Sequence, residues 1–293
     1  MKTTIGITLG DPAGVGPEVV RGALASGLLP GGFEFLTLGS QDGAVPGNPT
    51  VASARQALDA LEEAVALAKV GTVQAVVTGP VSKNQLHAVN FPFPGQTEFF
   101  AARTGTEDFA MCLTGGGLTV ALVTVHVPLK YVAGLLSADE IVRVGHLLVR
   151  FLQRRNFSRP RIAVAGFNPH AGENGDIGSE EQTIIAPAVE RLRGHWGDEA
   201  VFSDPLAPDA VFRRAVGGEF DAVLCMYHDQ GLIPLKLHAF DEGVNTTLGL
   251  PFPRTSPDHG TAFDIAGSGL ARPDSMIAAI RLACELVRSP GDD

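Results

Sequence analysis

Three histidines stand in matched positions along the chain, each just past an apolar run: His126 after LTVALVTV, His170 after RIAVAGF and His228 after DAVLCM. Short apolar runs of this kind read as buried strands. In open α/β sheets, ligands gather outside the carboxyl ends of the strands. Imidazole is the commonest metal-ligating side chain. Three neutral imidazoles that leave coordination positions open would polarise a hydroxyl or carbonyl group, and an all-imidazole set suits zinc, cobalt or nickel better than magnesium. The spacing is wide, with no local H-x-x-x-H chelate, so convergence has to come from the fold. His87, His146, His195 and His238 lie in helical or polar surroundings and read as ordinary imidazoles.

A second polar set follows His228: Lys236, Asn245 and Arg254, in a stretch too rich in Gly, Asn and Thr to read as a plain helix face. The chain carries 22 Lys+Arg against 32 Asp+Glu, a net charge of −10. Cations beside a proposed site on such a chain suit a phosphate or carboxylate. The loop from His259 to Gly269 is built of small residues that let backbone approach a ligand closely. Asp229 is the candidate general base, or the partner that orients the neighbouring imidazole; Asp258 and Asp264 are further candidates. Asp11, after the first strand, reads either as a loop-closing N-cap or as a cofactor contact.

These residues need strands and helices to position them. Apolar runs predict strands over 3–9, 33–39, 75–79, 118–125, 161–167 and 221–226, and helix-period segments predict helices from about Pro17, over 53–69 and from about Pro273 to Val287. Ser137 to Glu140 and Ser179 to Gln182 read as capping boxes opening two more helices. Strands alternating with helices imply an α/β fold with a largely parallel sheet.

Composition narrows the function further. Apolar residues make up 45% of the 293 residues, enough for a large core. The acidic balance argues against a nucleic-acid partner. No apolar run reaches the roughly 20 residues of a membrane span, no secretory h-region opens the chain, and three scattered cysteines read as reduced, buried thiols. A soluble cytoplasmic protein is expected. Missing G-x-G-x-x-G, Walker A, H-E-x-x-H and G-x-S-x-G motifs disfavour a standard Rossmann dehydrogenase, a P-loop NTPase, a zincin and an α/β-hydrolase.

Seven stretches, GDPAGVGPE (10–18), TGPVSK (78–83), TEFFAARTG (97–105), HVPL (126–129), NPHAGENGDIGSEE (168–181), MYHDQGLIPLK (226–236) and VNTTLGLPFPRTSPDHGTAFDIAG (244–267), together resemble the 4-hydroxythreonine-4-phosphate dehydrogenase family of vitamin B6 biosynthesis. The resemblance implies an isocitrate/isopropylmalate dehydrogenase-like fold with helices on both faces of a mostly parallel sheet, two interleaved subdomains (about 1–130 plus 245–293, and about 131–244) and a central cleft. It implies NAD(P)-linked, metal-dependent oxidation of 4-phosphohydroxy-L-threonine at its C3 hydroxyl, then decarboxylation to 3-amino-2-oxopropyl phosphate. The family's metal positions fall on His126, His170 and His228, with zinc expected and cobalt or magnesium as alternatives. Its substrate positions fall on Gln96, Thr97, Lys236, Asn245 and Arg254. The 259–267 loop looks like a nicotinamide-cofactor loop, which points to His259, Gly260, Thr261 and Asp264. Homodimers sharing an active site are implied as well. Gln96 departs from the family's usual His and cannot carry charge or shuttle a proton. That keeps 4-phosphoerythronate or 4-phosphothreonate open as alternative substrates. A metal-dependent hydrolase of a phosphorylated small molecule, or a binding protein without catalysis, is the more distant alternative.

Overall fold

The apolar runs become strands and the helix-period segments become helices in a computed structural model that describes residues 2–288. In chain order these are β1 (Thr3–Thr8), α1 (Gly16–Ala25), β2 (Phe33–Leu38), α2 (Val51–Lys69), β3 (Ala75–Thr78), α3 (Lys83–His87) and α4 (Gln96–Thr104). There follow β4 (Ala110–Gly115), β5 (Leu118–Thr124), α5 (Leu129–Leu135), α6 (Ala138–Arg154), β6 (Arg161–Ala165), α7 (Ala186–Trp196), β7 (Val201–Leu206), α8 (Pro208–Val216), β8 (Ala222–Tyr227) and α9 (His228–Ala239). The chain ends with β9 (Val244–Leu248), β10 (Arg254–Pro257) and α10 (Asp274–Val287). The described residues form two units, one up to Glu107 together with Asp241 onward, the other Asp108–Phe240. His126 falls in the second unit.

In the first unit the strand order is β2-β1-β3-β10-β9, parallel except for the antiparallel β10–β9 pair. In the second it is β4-β5-β8-β6-β7, parallel except for the β4–β5 hairpin. Strands β3 and β5 are buried along their whole length, which is why they read as unbroken apolar runs instead of alternating ones. The core of the second unit gathers Leu113, Leu118, Val120, Leu122, Val223 and Leu235, each worth about 1.5–3 kcal/mol when fully buried.

Three local features differ from the sequence reading. Strand β4 was not expected. It pairs with β5 across Gly116 and Gly117, both at positive φ (55° and 83°), and this Gly-Gly pair is the hairpin signal that marks it. Helix α2 starts earlier than predicted because Thr50 and Ser53 cap one another, each side chain accepting from the other's backbone amide at 3.1 and 3.0 Å. Ser137 does cap α6, accepting from the Glu140 amide at 3.2 Å, but the Glu140 carboxylate turns to Arg143. The box predicted at Ser179 does not form. A π-helical turn over Glu181–Ile185 precedes α7, and the two glutamates are drawn to Asn168 instead. Among the described residues no helix is long and apolar enough to cross a membrane.

The DPAG loop after β1 explains its own glycines. Gly10 has φ +73°, and a Cβ there would lie 2.3 Å from the Pro80 carbonyl oxygen, to which the Asp11 amide donates at 2.9 Å. Backbone thus packs on backbone, with no room for a methyl group. Gly10→Ala is expected to destabilise the protein by at least about 3 kcal/mol, left-handed strain and overlap combined; urea unfolding would measure it.

Candidate active site

Strand order in the second unit brings the histidine positions together. β5 and β8 run parallel and in register, with Thr124 opposite Tyr227, so their carboxyl ends are neighbours. His126 follows β5 and His228 is the first residue of α9 directly after β8. Their ring centroids lie 5.5 Å apart. β6 flanks β8 on the other side and leads to His170. His126 sits at φ 49° and His170 at φ 52°, left-handed values that are uncommon for residues with a side chain and that cluster at functional sites. Among the described residues, no three His, Cys, Asp or Glu side chains are grouped to hold one metal ion. The geometry therefore pairs two of the three imidazoles, and His170 stands in its own turn.

The donor chemistry of that pair suits a borderline divalent cation. His228 Nδ1 lies 2.7 Å from Asp229 Oδ1. With that nitrogen protonated toward the carboxylate, Nε2 keeps its lone pair for a ligand. Asp229 is thus the hydrogen-bond partner of His228.

His170 opens a run of five consecutive left-handed residues, with Ala171, Gly172, Glu173 and Asn174 at φ 53°, 76°, 45° and 60°. Each such residue with a side chain costs on the order of 1–2 kcal/mol, so the surroundings have to enforce the turn. Glu181, 5% exposed, does much of this: its carboxylate accepts from the Phe167 and Asn168 amides, both at 2.7 Å, and from Asn168 Nδ2 at 2.9 Å. Gln230 ties the strand ends together, accepting from the Met226 amide at 2.7 Å and donating to the Gly166 carbonyl at 2.6 Å. Sequence reasoning missed Glu181 and Gln230 as contributors. Their signal lay in GSEE and YHDQG, polar runs directly beside the histidine positions. Of the histidines read as ordinary, His146 accepts from Trp196 Nε1 at 2.9 Å and His238 Nε2 lies 2.8 Å from the Gly116 carbonyl. Lys236, in a stretch read as too rich in Gly, Asn and Thr for a plain helix face, lies within helix α9.

The first unit holds the other polar set around Arg254, which begins β10 and is 2% exposed. Its Nη2 donates to Thr78 Oγ1 at 2.6 Å and to Gln96 Oε1 at 3.0 Å, and the guanidinium lies 5.6 Å from the Phe100 ring centroid. Burial pushes its pKa down to about 10, with the Glu98 charge opposing. Gln96 opens α4 and donates from Nε2 to the Gly79 carbonyl at 3.4 Å. Thr97 Oγ1 lies 3.3 Å from Thr247 Oγ1. Arg254 and Gln96 are thus joined directly, Thr97 follows Gln96 and meets Thr247 of β9, and Asn245 stands two residues before Thr247 on that strand. A buried guanidinium that donates to the neutral oxygens of Thr78 and Gln96 has the chemistry to receive an anion.

The 259–269 loop is pinned at two places in the same unit. The Val15 amide donates to the Thr261 carbonyl at 2.9 Å, and Glu18 accepts from the Gly267 and Ala271 amides at 2.8 and 3.2 Å. The acidic end of the GDPAGVGPE stretch is thereby explained. His259, Gly260 and Asp264 are exposed, while Thr261 is buried against the Gly14–Val15 turn. Asp11 does not cap α1, whose N-cap is Val15. It accepts from the Ala13 amide at 3.0 Å, and burial holds its carboxyl above the usual range.

The sequence profile described as "Pyridoxal phosphate biosynthetic protein PdxA" matches residues 26–283. A protein of Desulfosudis oleivorans named 4-hydroxythreonine-4-phosphate dehydrogenase is 43% identical, covering 97% of this chain and 96% of that protein. One of Pectobacterium atrosepticum, named D-threonate 4-phosphate dehydrogenase, is 40% identical over 98% of this chain and its own full length (100%). The crystal structure of a 4-hydroxythreonine-4-phosphate dehydrogenase from Klebsiella pneumoniae superposes with a TM-score of 0.82 at 39% identity, over 98% of this chain and 100% of that one. An isocitrate dehydrogenase from Methylococcus capsulatus shares the fold, with a TM-score of 0.51 at 16% identity over 96% of this chain and 84% of that one.

Proposed function

The chain belongs to the PdxA family of pyridoxal phosphate biosynthetic proteins, an oxidoreductase family, and from that premise we propose that it oxidises 4-phosphohydroxy-L-threonine at the C3 hydroxyl with NAD or NADP. The ketone so formed is a β-keto acid, which loses CO2 to leave 3-amino-2-oxopropyl phosphate. The observation that carries the reading is Arg254, a buried guanidinium held by Thr78 and Gln96 and ready for an anionic group.

In this reading His126, His170 and His228 hold a divalent cation, zinc first, with cobalt or magnesium as alternatives. The 5.5 Å approach of the His126 and His228 rings supports two of the three positions. When bound, the cation and the nicotinamide supply Lewis acidity and a hydride acceptor. Asp229 orients His228, and Glu181 and Gln230 hold the turns that carry His170 and His228. Arg254, Lys236, Asn245, Thr97 and Gln96 take the phosphate and carboxylate, with Gln96 keeping Arg254 in place through a neutral amide. His259, Gly260, Thr261 and Asp264 belong to the loop for the nicotinamide cofactor. Fixing that loop through Glu18 would spare entropy when a cofactor binds.

The proposal extends to a homodimer. Ile233, Leu237 and Phe240, at helical spacing along α9, are 65%, 88% and 75% exposed. Such a row on a surface helix suits a self-complementary interface with a second copy. The compartment is the cytoplasm, in keeping with three free, buried cysteines.

Gln96 favours keeping one second reading, the oxidation of 4-phospho-D-erythronate or 4-phosphothreonate, in which a hydroxyl replaces the amino group. The test is NADH or NADPH formation by zinc-reloaded enzyme with 4-phosphohydroxy-L-threonine and with 4-phospho-D-erythronate. Turnover of the amino acid is expected. Turnover of the sugar acid alone would transfer the protein to the second reading, and turnover of neither would refute both.

A further inference from the structure

The loop from Ala262 to Leu270 is held in a shape that its own side chains do not explain. None of these residues is buried, and segments with so little apolar burial ordinarily belong to the least stable parts of a fold. Ala262 nevertheless stands at φ 40°, a left-handed value that persists only where the surroundings over-determine it. Glu18 supplies one restraint by accepting from the Gly267 and Ala271 amides. The other comes from residues 41–47, which follow β2 in the same unit. A Cβ on Gly267, itself at φ +77°, would lie 2.7 Å from Pro46 Cβ and 3.1 Å from its Cγ. The proline ring thus packs directly on the glycine backbone. Beside it, the Gly47 amide donates to the Ala13 carbonyl at 2.8 Å, and a Cβ on Gly47 would lie 3.1 Å from the Phe263 carbonyl oxygen.

The 41–47 segment is braced in turn from firm elements. Gln41 Nε2 donates to the Pro12 carbonyl at 3.3 Å, and Gln41 Oε1 accepts from Arg21 of α1 at 3.0 Å. Gln56 of α2 donates to the Asp42 carbonyl at 2.9 Å. Proline fixes its own φ, so Pro46 is a stiff contact on a braced segment. We propose that residues 41–47 are the positioning element of the cofactor loop, Pro46 holding Gly267 so that residues 262–269 already have the shape that receives the nicotinamide cofactor. This rests on the reading of that loop given above. Order set in advance raises affinity, because less conformational freedom is lost on binding.

The test measures NADH and NADPH binding by fluorescence titration, together with kcat and both KM values. It compares wild type, Gln41→Ala, Pro46→Gly, Gly267→Ala and the P46G/G267A double variant. P46G is expected to weaken binding of the tighter dinucleotide about tenfold, as when the ordered loop falls to about a tenth of the population, and to raise KM for the cofactor in step. Both kcat at saturating cofactor and KM for 4-phosphohydroxy-L-threonine should move by no more than about twofold. Q41A should act in the same direction. Because Pro46 acts through Gly267, the double variant should lose much less than the product of the single losses. A lower melting temperature with unchanged dinucleotide binding would make the segment merely structural and overturn the proposal. Equal losses in both KM values, or single losses that multiply, would overturn it as well. Should circular dichroism show P46G unfolded, Q41A carries the comparison. Wild type that binds neither dinucleotide would refute the cofactor reading, and the proposal with it, whereas wild-type binding that the variants leave intact would overturn the proposal alone.

Discussion

Replacing Arg254 with methionine is expected to lower kcat/KM by on the order of 10³-fold while moving the melting temperature by no more than about 4 °C. The two effects separate because of where the charge sits. Arg254 is 2% exposed, and it donates to the neutral oxygens of Thr78 and Gln96. In the free protein the guanidinium carries a desolvation cost that these bonds only partly offset. An apolar side chain of similar length removes the bonds and the cost together, so stability changes little. A substrate anion has no such compensation: truncating a buried, hydrogen-bonded charge typically costs 2–5 kcal/mol in binding. The pH dependence has a definite sign. Burial lowers the Arg254 pKa from the ordinary guanidinium value to about 10, so between those two values the unfolded chain binds more protons than the folded one. Its penalty on stability is constant below about pH 10 and is relieved only as pH rises through that window. The acid limb of the wild-type stability curve should therefore survive unchanged in R254M. A large fall in melting temperature with unchanged kcat/KM would make Arg254 a structural residue.

His228→Ala is expected to reduce kcat at least about 10³-fold and to abolish bound divalent metal measured by elemental analysis. The magnitude follows from the several kcal/mol that a positioned cation contributes to charge stabilisation. Chelation of the wild type should produce the same loss, reversed by zinc or cobalt, whereas H228A should not recover at equal metal. His170→Ala asks a sharper question, because only His126 and His228 stand ring beside ring. If the three histidines act as a set, H170A matches H228A in metal content and turnover. Retained metal in H170A would leave a two-imidazole site, with His170 serving another purpose in its left-handed turn.

The strands around both polar sets were legible because each is a short, fully buried apolar run, and the α/β class followed from their alternation with helices. The unseen hairpin strand β4 was a matter of turn chemistry: Gly116 and Gly117 supply two successive positive φ values. The Ser179 cap failed for a different reason. Its local pattern is sound, but the Ser179 amide donates to Glu180 Oε2 at 3.1 Å and the Gln182 side chain donates to the Asn174 carbonyl at 2.8 Å, so the two groups that would close the box are engaged elsewhere. The stretch holding Lys236 is by composition no plain helix face, yet the core-facing Leu232 and Leu235 carry its start as helix.

Taken by itself, the sequence determined the chemistry available: imidazoles at strand ends, a guanidinium and amides in a glycine-rich stretch, and the short buried elements that bear them. These are local properties, encoded within a few residues of each position. Only the tertiary structure decided which of those groups meet. His126 and His228 are neighbours because β5 pairs with β8, and Arg254 reaches Thr78 and Gln96 because β10 lies beside β3. The seat of Pro46 against Gly267 could not be read from any motif. It arises when distant segments close over one another, a result of packing between parts of the chain far apart in sequence.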